Sequence, residues 1–291
     1  MCDQEMLARW GRQAMTRRGF GAGAMAAGAV ACAPVERAAE SSAAQNRSGR
    51  KVTFATPAGT MDGEFFHPAS GMHPAVILWP DIAGIRPAKR QMAQRLADEG
   101  YAVLLANPYY RDVAGQQFED FASFAANGGF DKVKPWRSKF PPATIQTDAR
   151  ACAEWLLEQP EVDTDRGIGT QGYCMGGPFA VWTAAAVPSR VRAAASFHGG
   201  GLVREGDPMS PHNTFDDAQA SYLIAIAQDD AEEAPDEERI IANAAQAAGR
   251  PAEVDVYAGD HGWTVPDSPS YAREAAERAY ADLIALYAGA L

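Results

Sequence analysis

Cysteine is scarce in this 291-residue chain, with four in all. Cys2 and Cys32 fall within or at the edge of an N-terminal leader, which leaves Cys152 and Cys174, too few for a disulfide scaffold. Basic charge is also short. Against 37 Asp and Glu stand 26 Lys and Arg, for a net charge of −11 and a pI near 4.9. A nucleic-acid partner needs a basic face, and this balance excludes one. Neither H-E-x-x-H nor C-x-x-C occurs, which argues against a metallohydrolase and against a thiol redox protein. No G-x-G-x-x-G follows a first strand, so nothing calls for a dinucleotide and no cofactor is implied. Internal repeats and heptads are absent as well.

What the N-terminus does carry is Thr16-Arg17-Arg18-Gly19-Phe20, then a Gly/Ala/Met/Val run ending at Ala31-Cys32-Ala33. A paired arginine, a short weakly apolar stretch and an A-x-A site resemble a twin-arginine export signal. The run is about 15 residues, short of the roughly 20 a membrane-spanning helix needs. Residues 1–33 are therefore expected to be a signal peptide read by the twin-arginine export machinery, with cleavage after Ala33 and a periplasmic destination. Lipidation of Cys32 is the alternative, although Ala29 stands where a lipobox usually has leucine. Residues 34–50, rich in Ala, Ser, Glu and Arg without periodicity, read as a flexible linker. Residues 51–291 are long enough for one large domain.

Within that domain, strands at 52–56 and 61–66 flank the turn Pro57-Ala58-Gly59 and suggest an antiparallel hairpin. The uninterrupted apolar runs 75–79 and 101–106 read as strands buried on both faces, joined by a helix over 87–99 that Gly100 ends. Residues 109–142 read as a long irregular stretch with eight aromatic side chains, either a partial lid or an insertion packed on the outside of the sheet. An amphipathic helix over 144–159 places Ile145, Ala149, Cys152 and Leu156 on one face, so Cys152 reads as core. Strands are expected at 166–171, 191–197, 222–227 and 254–257, with helices at 178–186, 236–248 and 271–290. Alternating strands and helices mean an α/β fold, a mostly parallel sheet with helices on both faces.

The chemistry gathers at Gly172-Tyr173-Cys174-Met175-Gly176-Gly177, where a strand turns into a helix. Glycines flanking a central nucleophile allow strand and helix to approach closely, which is the nucleophile elbow of α/β-hydrolases. Here the central residue is cysteine, and the helix N-terminus would favour its thiolate. A cysteine nucleophile needs a base and an orienting carboxylate. Gln228-Asp229-Asp230 follows one strand and Gly259-Asp260-His261-Gly262-Trp263 the last, both read as loops just beyond strand ends, in the chain order nucleophile, acid, histidine. His261 is the candidate base, and Asp229 or Asp230 the acid. His198, at a strand end before three glycines, reads as structural.

At these residues the chain resembles the dienelactone hydrolase family. The likeness covers roughly residues 51–291 and rests on Pro80-Asp81-Ile82-Ala83-Gly84, Asn107-Pro108-Tyr109-Tyr110-Arg111, the cysteine elbow, and Tyr257-Ala258-Gly259-Asp260-His261-Gly262-Trp263. It implies an α/β-hydrolase fold, a Cys174-Asp230-His261 triad and hydrolysis of a small ester or lactone through an acyl-thioester. Asp230 is preferred over Asp229 because the family's acid ends a G-x-x-D segment, which Ala227-Gln228-Asp229-Asp230 matches with alanine for glycine. The oxyanion would rest on the backbone N–H groups of Met175 and Ile82, with Asp81 contacting the thiol and Arg111 and Trp263 at the substrate. The family's arginine four residues beyond the histidine is Val265, which points away from an anionic lactone. The rival reading is a non-catalytic binding protein on the same fold.

Overall fold

Side-chain alternation in the apolar runs sets the layers of the molecule. The computed structural model describes residues 49–291. The expected signal peptide and, apart from Gly49 and Arg50, the linker lie outside the described residues. Strand β3 (Ala75–Trp79) and strand β4 (Ala102–Ala106) are buried at every position. Ala75, Ile77, Trp79, Ala102, Leu104 and Ala106 face one side, and Val76, Leu78, Val103 and Leu105 the other. Two separate apolar layers follow from this period of two.

Beside them lie β1 (Arg50–Thr56) and β2 (Gly59–Phe66), the expected hairpin, then β5 (Ile168–Tyr173), β6 (Val191–Phe197), β7 (Ser221–Ala227) and β8 (Ala252–Tyr257). The eight strands run in the order β1-β2-β4-β3-β5-β6-β7-β8. The pairs β1·β2 and β2·β4 are antiparallel and the other five parallel. This is an α/β-hydrolase fold.

Helices α1 (Pro87–Asp98), α2 (Phe121–Ala126), α3 (Gly129–Arg137), α4 (Pro142–Leu157), α5 (Gly176–Ala186), α6 (Gln228–Glu233), α7 (Glu237–Ala247) and α8 (Arg273–Ala290) complete the chain. On one face α4 buries Ile145, Ala149, Cys152 and Leu156, next to α5. On the other, α1 contributes Ala93, Leu96 and Ala97, and α8 Ala276, Ala279, Leu283 and Tyr287. Among the described residues no helix is long and apolar enough to cross a membrane.

Two expectations need correcting. Residues 109–142 are not a continuous irregular stretch, because α2 and α3 lie within them. Asp120 caps α2 by accepting from Ser123 N while Ser123 Oγ receives the Asp120 N–H, a reciprocal pair that satisfies two end amides. The aromatics of this segment pack inward, with Phe118, Phe121 and Phe130 each in ring contact with Phe124. The segment after β7 is likewise a short helix, α6, rather than a loop.

Candidate active site

Backbone geometry makes the elbow. Strand β5 runs to Tyr173, and Cys174 then takes φ 53°, a left-handed conformation uncommon outside glycine. The turn is tight enough that a Cβ on Gly172 would lie 1.8 Å from the carbonyl oxygen of Gly176, and one on Gly176 would lie 2.6 Å from that of Pro80. Only glycine fits at either position. Helix α5 starts at Gly176, so its N-terminus is directed at the turn. The Cys174 N–H donates to the Phe197 carbonyl at 3.0 Å, and its own carbonyl accepts from Gly177 and Gly200. Cys174 is 2 % exposed.

At the far end of the sheet, β7 passes straight into α6 and β8 into the turn of His261. The Gln228 N–H donates to the Gly259 carbonyl and its side chain to Asp260, which stitches the two segments together. The two candidate acids divide their contacts with His261. Asp230 faces the ring, with its oxygens 2.7 and 3.0 Å from Nδ1. Asp229 accepts the backbone N–H of His261 at 2.7 Å. Burial raises the Asp229 carboxyl above its ordinary value, and that N–H partly offsets the rise. The imidazole is fully buried, with the ring of His198 4.9 Å away. Segment 197–200 thus meets the Cys174 backbone at both ends and, through His198, the His261 ring.

Tyr109 joins the two residues expected to supply oxyanion donors. Its hydroxyl donates to the Ile82 carbonyl at 2.8 Å and lies 3.5 Å from Met175 Sδ. Among the described residues no group of three or more His, Cys, Asp or Glu is placed to hold a metal ion.

This arrangement can be set beside known proteins. The sequence profile of the dienelactone hydrolase family matches residues 61–291. The chain belongs to the dienelactone hydrolase family. A carboxymethylenebutenolidase of Rhodococcus opacus is 30 % identical over 139 residues, 46 % of this chain and 48 % of that protein. A protein of Escherichia coli (strain K12) assigned to the carboxymethylenebutenolidases is 26 % identical over 212 residues, 72 % of this chain and 74 % of its own. The chain spans about half the length of the first curated relatives it matches. Among solved structures, a Klebsiella pneumoniae protein assigned to the dienelactone hydrolases superposes with TM-score 0.70 at 26 % identity, covering 82 % of this chain and 98 % of that one.

In this member of the dienelactone hydrolase family, three expected contacts fall elsewhere. Asp81 is held by cations rather than turned to a thiol. Arg86 Nη1 and Nη2 donate to its two oxygens at 2.7 and 2.9 Å, and Lys89 Nζ lies 2.9 Å away as a charge contact rather than an aligned hydrogen bond. Burial opposes charge on Asp81, but the two cations overcome it and hold the carboxyl well below the usual carboxylate range. Arg111 does not reach out for substrate, because both its Nη atoms donate to Asp148, which also accepts from Tyr110. Trp263 does not line an open surface. It is fully buried and stacks on Tyr257 with ring centroids 4.9 Å apart, packed between the last strand and α8. Val265 lies in the same apolar layer.

Sequence reasoning missed the partner of this cluster across the site. Arg86 also donates through Nε and Nη2 to Asp267 at 2.7 and 2.9 Å, and Asp267 accepts the Phe121 N–H. One guanidinium therefore ties the loop of Ile82, the loop after His261 and the start of α2. Burial pushes Lys89 down to about 8, with Asp81 opposing, and its ammonium sits 4.1 Å over the Tyr173 ring. Two carboxylates and two cations balance, as burial demands. No local pattern announces a pair 181 residues apart.

Proposed function

We propose that this protein hydrolyses small, uncharged esters or lactones through Cys174, His261 and Asp230. The observation that carries the reading is the His261 imidazole, gripped at Nδ1 by Asp230 and facing the segment that also holds the strained Cys174 turn. A carboxylate on Nδ1 fixes the tautomer whose Nε2 can accept a proton, which is the base a thiol nucleophile needs. His261 would take the Cys174 proton, and the thiolate would add to the substrate carbonyl carbon. The electron pair moves onto oxygen, where the N–H groups of Met175 and Ile82 receive it. Collapse expels the alkoxide, protonated by His261, and leaves an acyl-thioester. Water, deprotonated by the same histidine, then adds to the thioester and releases the acid and the thiol.

The uncharged substrate follows from the cations of the site. Arg86 is matched by Asp81 and Asp267, Arg111 by Asp148, and Val265 is apolar. A carboxylate bound there would lack a free partner, at a cost of several kcal/mol. Relatives named carboxymethylenebutenolidase support the lactone class. Export by the twin-arginine route belongs to the same proposal, and retention of the precursor on replacing Arg17-Arg18 by Lys-Lys would test it.

The deciding experiment is turnover of p-nitrophenyl esters and simple lactones by the wild type and by Cys174→Ala. The variant is expected to keep its circular dichroism and lose several orders of magnitude in kcat. Equal turnover by the variant would remove the mechanism.

A further inference from the structure

Only two non-glycine residues take positive φ among the described residues, Cys174 at 53° and His198 at 40°. They stand one residue past the ends of adjacent strands, since Tyr173 of β5 pairs with Phe197 of β6. A backbone of this kind persists where its surroundings over-determine it, and it clusters at functional sites. Glycine would adopt it more cheaply, and three glycines follow at once. The side chain of residue 198 must therefore be what the position requires.

That side chain is 1 % exposed and sits against the candidate base. Its ring centroid is 4.9 Å from that of His261, inclined by 58°. His198 Nε2 is 2.9 Å from the hydroxyl of Thr264, three residues beyond His261, so the turn carrying the base is tied back to β6. The His198 N–H donates to the Ala225 carbonyl at 2.8 Å, which fixes the same segment to β7. Nδ1 has no hydrogen-bond partner among the described residues. Leaving a buried polar atom unpaired opposes stability, so an apolar ring would serve packing at least as well. Burial first, then the neighbouring His261 and Lys89, keep the ring uncharged, so it does not oppose a cation on His261.

We infer that His198 is a positioning residue, which with Thr264 holds the His261 imidazole in the orientation that reaches Cys174. Asp230 grips one edge of that imidazole, and the His198 ring packs against it from the neighbouring strand end. The inference rests on the triad reading above, and it adds a group that touches neither substrate nor the reacting atoms.

The test uses the full-length protein with a neutral p-nitrophenyl ester. His198→Phe keeps an aromatic ring and removes the Thr264 bond, and Thr264→Val removes the bond alone. Both are expected to lower kcat, about 10-fold and about 3-fold, with KM within 2-fold, beside the small loss of melting temperature that an unpaired buried polar atom brings. Alkylation of Cys174 by iodoacetamide at pH 7, which needs no substrate, should slow by similar factors. A packing role alone would lower the melting temperature while leaving kcat, KM and the alkylation rate of the folded protein as in the wild type. If Cys174→Ala and His261→Ala abolish turnover while both Thr264→Val and His198→Phe match the wild type, the inference fails and the triad stands. If Cys174→Ala keeps its activity, the triad reading falls and this inference with it. Should His198→Phe not fold, Thr264→Val decides alone.

Discussion

Replacing Arg86 by methionine would test how much of the molecule depends on one buried guanidinium. Five hydrogen bonds go with it, two to Asp81, two to Asp267 and one to the Gly84 carbonyl. Asp81, with its side chain 5 % exposed, keeps Lys89 and the Ala83 N–H. Asp267, with its side chain 21 % exposed, can hydrate and keeps the Phe121 N–H. Breaking a buried ion pair from one side costs about 3–5 kcal/mol, and the partners that remain put this case near about 3 kcal/mol. Total stability is of order 5–15 kcal/mol, and each kcal/mol moves Tm by about 2–4 °C at this chain size. Arg86→Met should therefore lower Tm by about 6–12 °C. Asp81→Asn should destabilise the wild type by more than it destabilises the Arg86→Met protein, in which Asp81 has only Lys89 left as a charge partner. Urea unfolding of the four proteins gives the cycle, and a coupling of at least about 1 kcal/mol is expected. A loss below about 1 kcal/mol, or the same Asp81→Asn effect in both backgrounds, would refute the account of a closed charge cluster.

Asp230→Asn should cost at least about 100-fold in kcat because the tautomer of His261 is lost, whereas Asp229→Asn keeps an acceptor for a backbone N–H and should stay within about 5-fold. A panel with a single chromogenic ester ranks the two. Glu237 is pushed up to about 7, by burial first and then by Asp230, with the backbone of Val203 and Leu202 opposing. Its raised value makes a stabilising contribution that is complete below the unfolded pKa near 4.5 and lost as pH rises through about 7. Glu237→Gln should therefore gain about 1–3 kcal/mol over the wild type at pH 8 and nothing at pH 4, read from Tm at the two values. Neutral lactones should exceed carboxylated ones of the same ring size by at least ~10-fold in kcat/KM, about 1.4 kcal/mol. Preference for the anion would show that a cation of the site can be released.

Much of this was legible in the sequence because it is periodic or local. The buried runs of β3 and β4, the stripe of α4 and the glycines around Cys174 each carry their own signal, while the choice of Asp230, whose oxygens meet the His261 ring, came from the resemblance to the family's G-x-x-D segment. Three things left no such signal. Helix α6 buries no side chain, so Gln228–Glu233 has no apolar stripe, and its helix follows from the strand running directly into it. Helices α2 and α3 are short, and α3 contains Pro135, which lowers any propensity reading of that stretch. Arg111 depends on Asp148, 37 residues away, whereas the partners of Asp81 and Trp263 lie close in sequence, Arg86 and Lys89 for the one and Tyr257 for the other, with no spacing that marks them as pairs. A charged side chain beside a motif reads as available, and only the fold shows that Arg111 has been taken by Asp148.

Strands β5, β6, β7 and β8 lie side by side in the order in which the chain supplies them, each parallel to the one before. Cys174 arrives with the first, His198 with the second, Asp230 with the third and His261 with the last. Assembly by accretion from the centre of the sheet would complete the pocket only when its outermost strand docks, and non-local parallel pairings of this kind form slowly. An intermediate with its central strands and flanking helices in place would resemble the finished protein in the far ultraviolet and be chemically inert. On dilution from urea, the return of the proposed ester turnover should then trail the return of secondary structure, which would make that turnover a clock for the last event in folding.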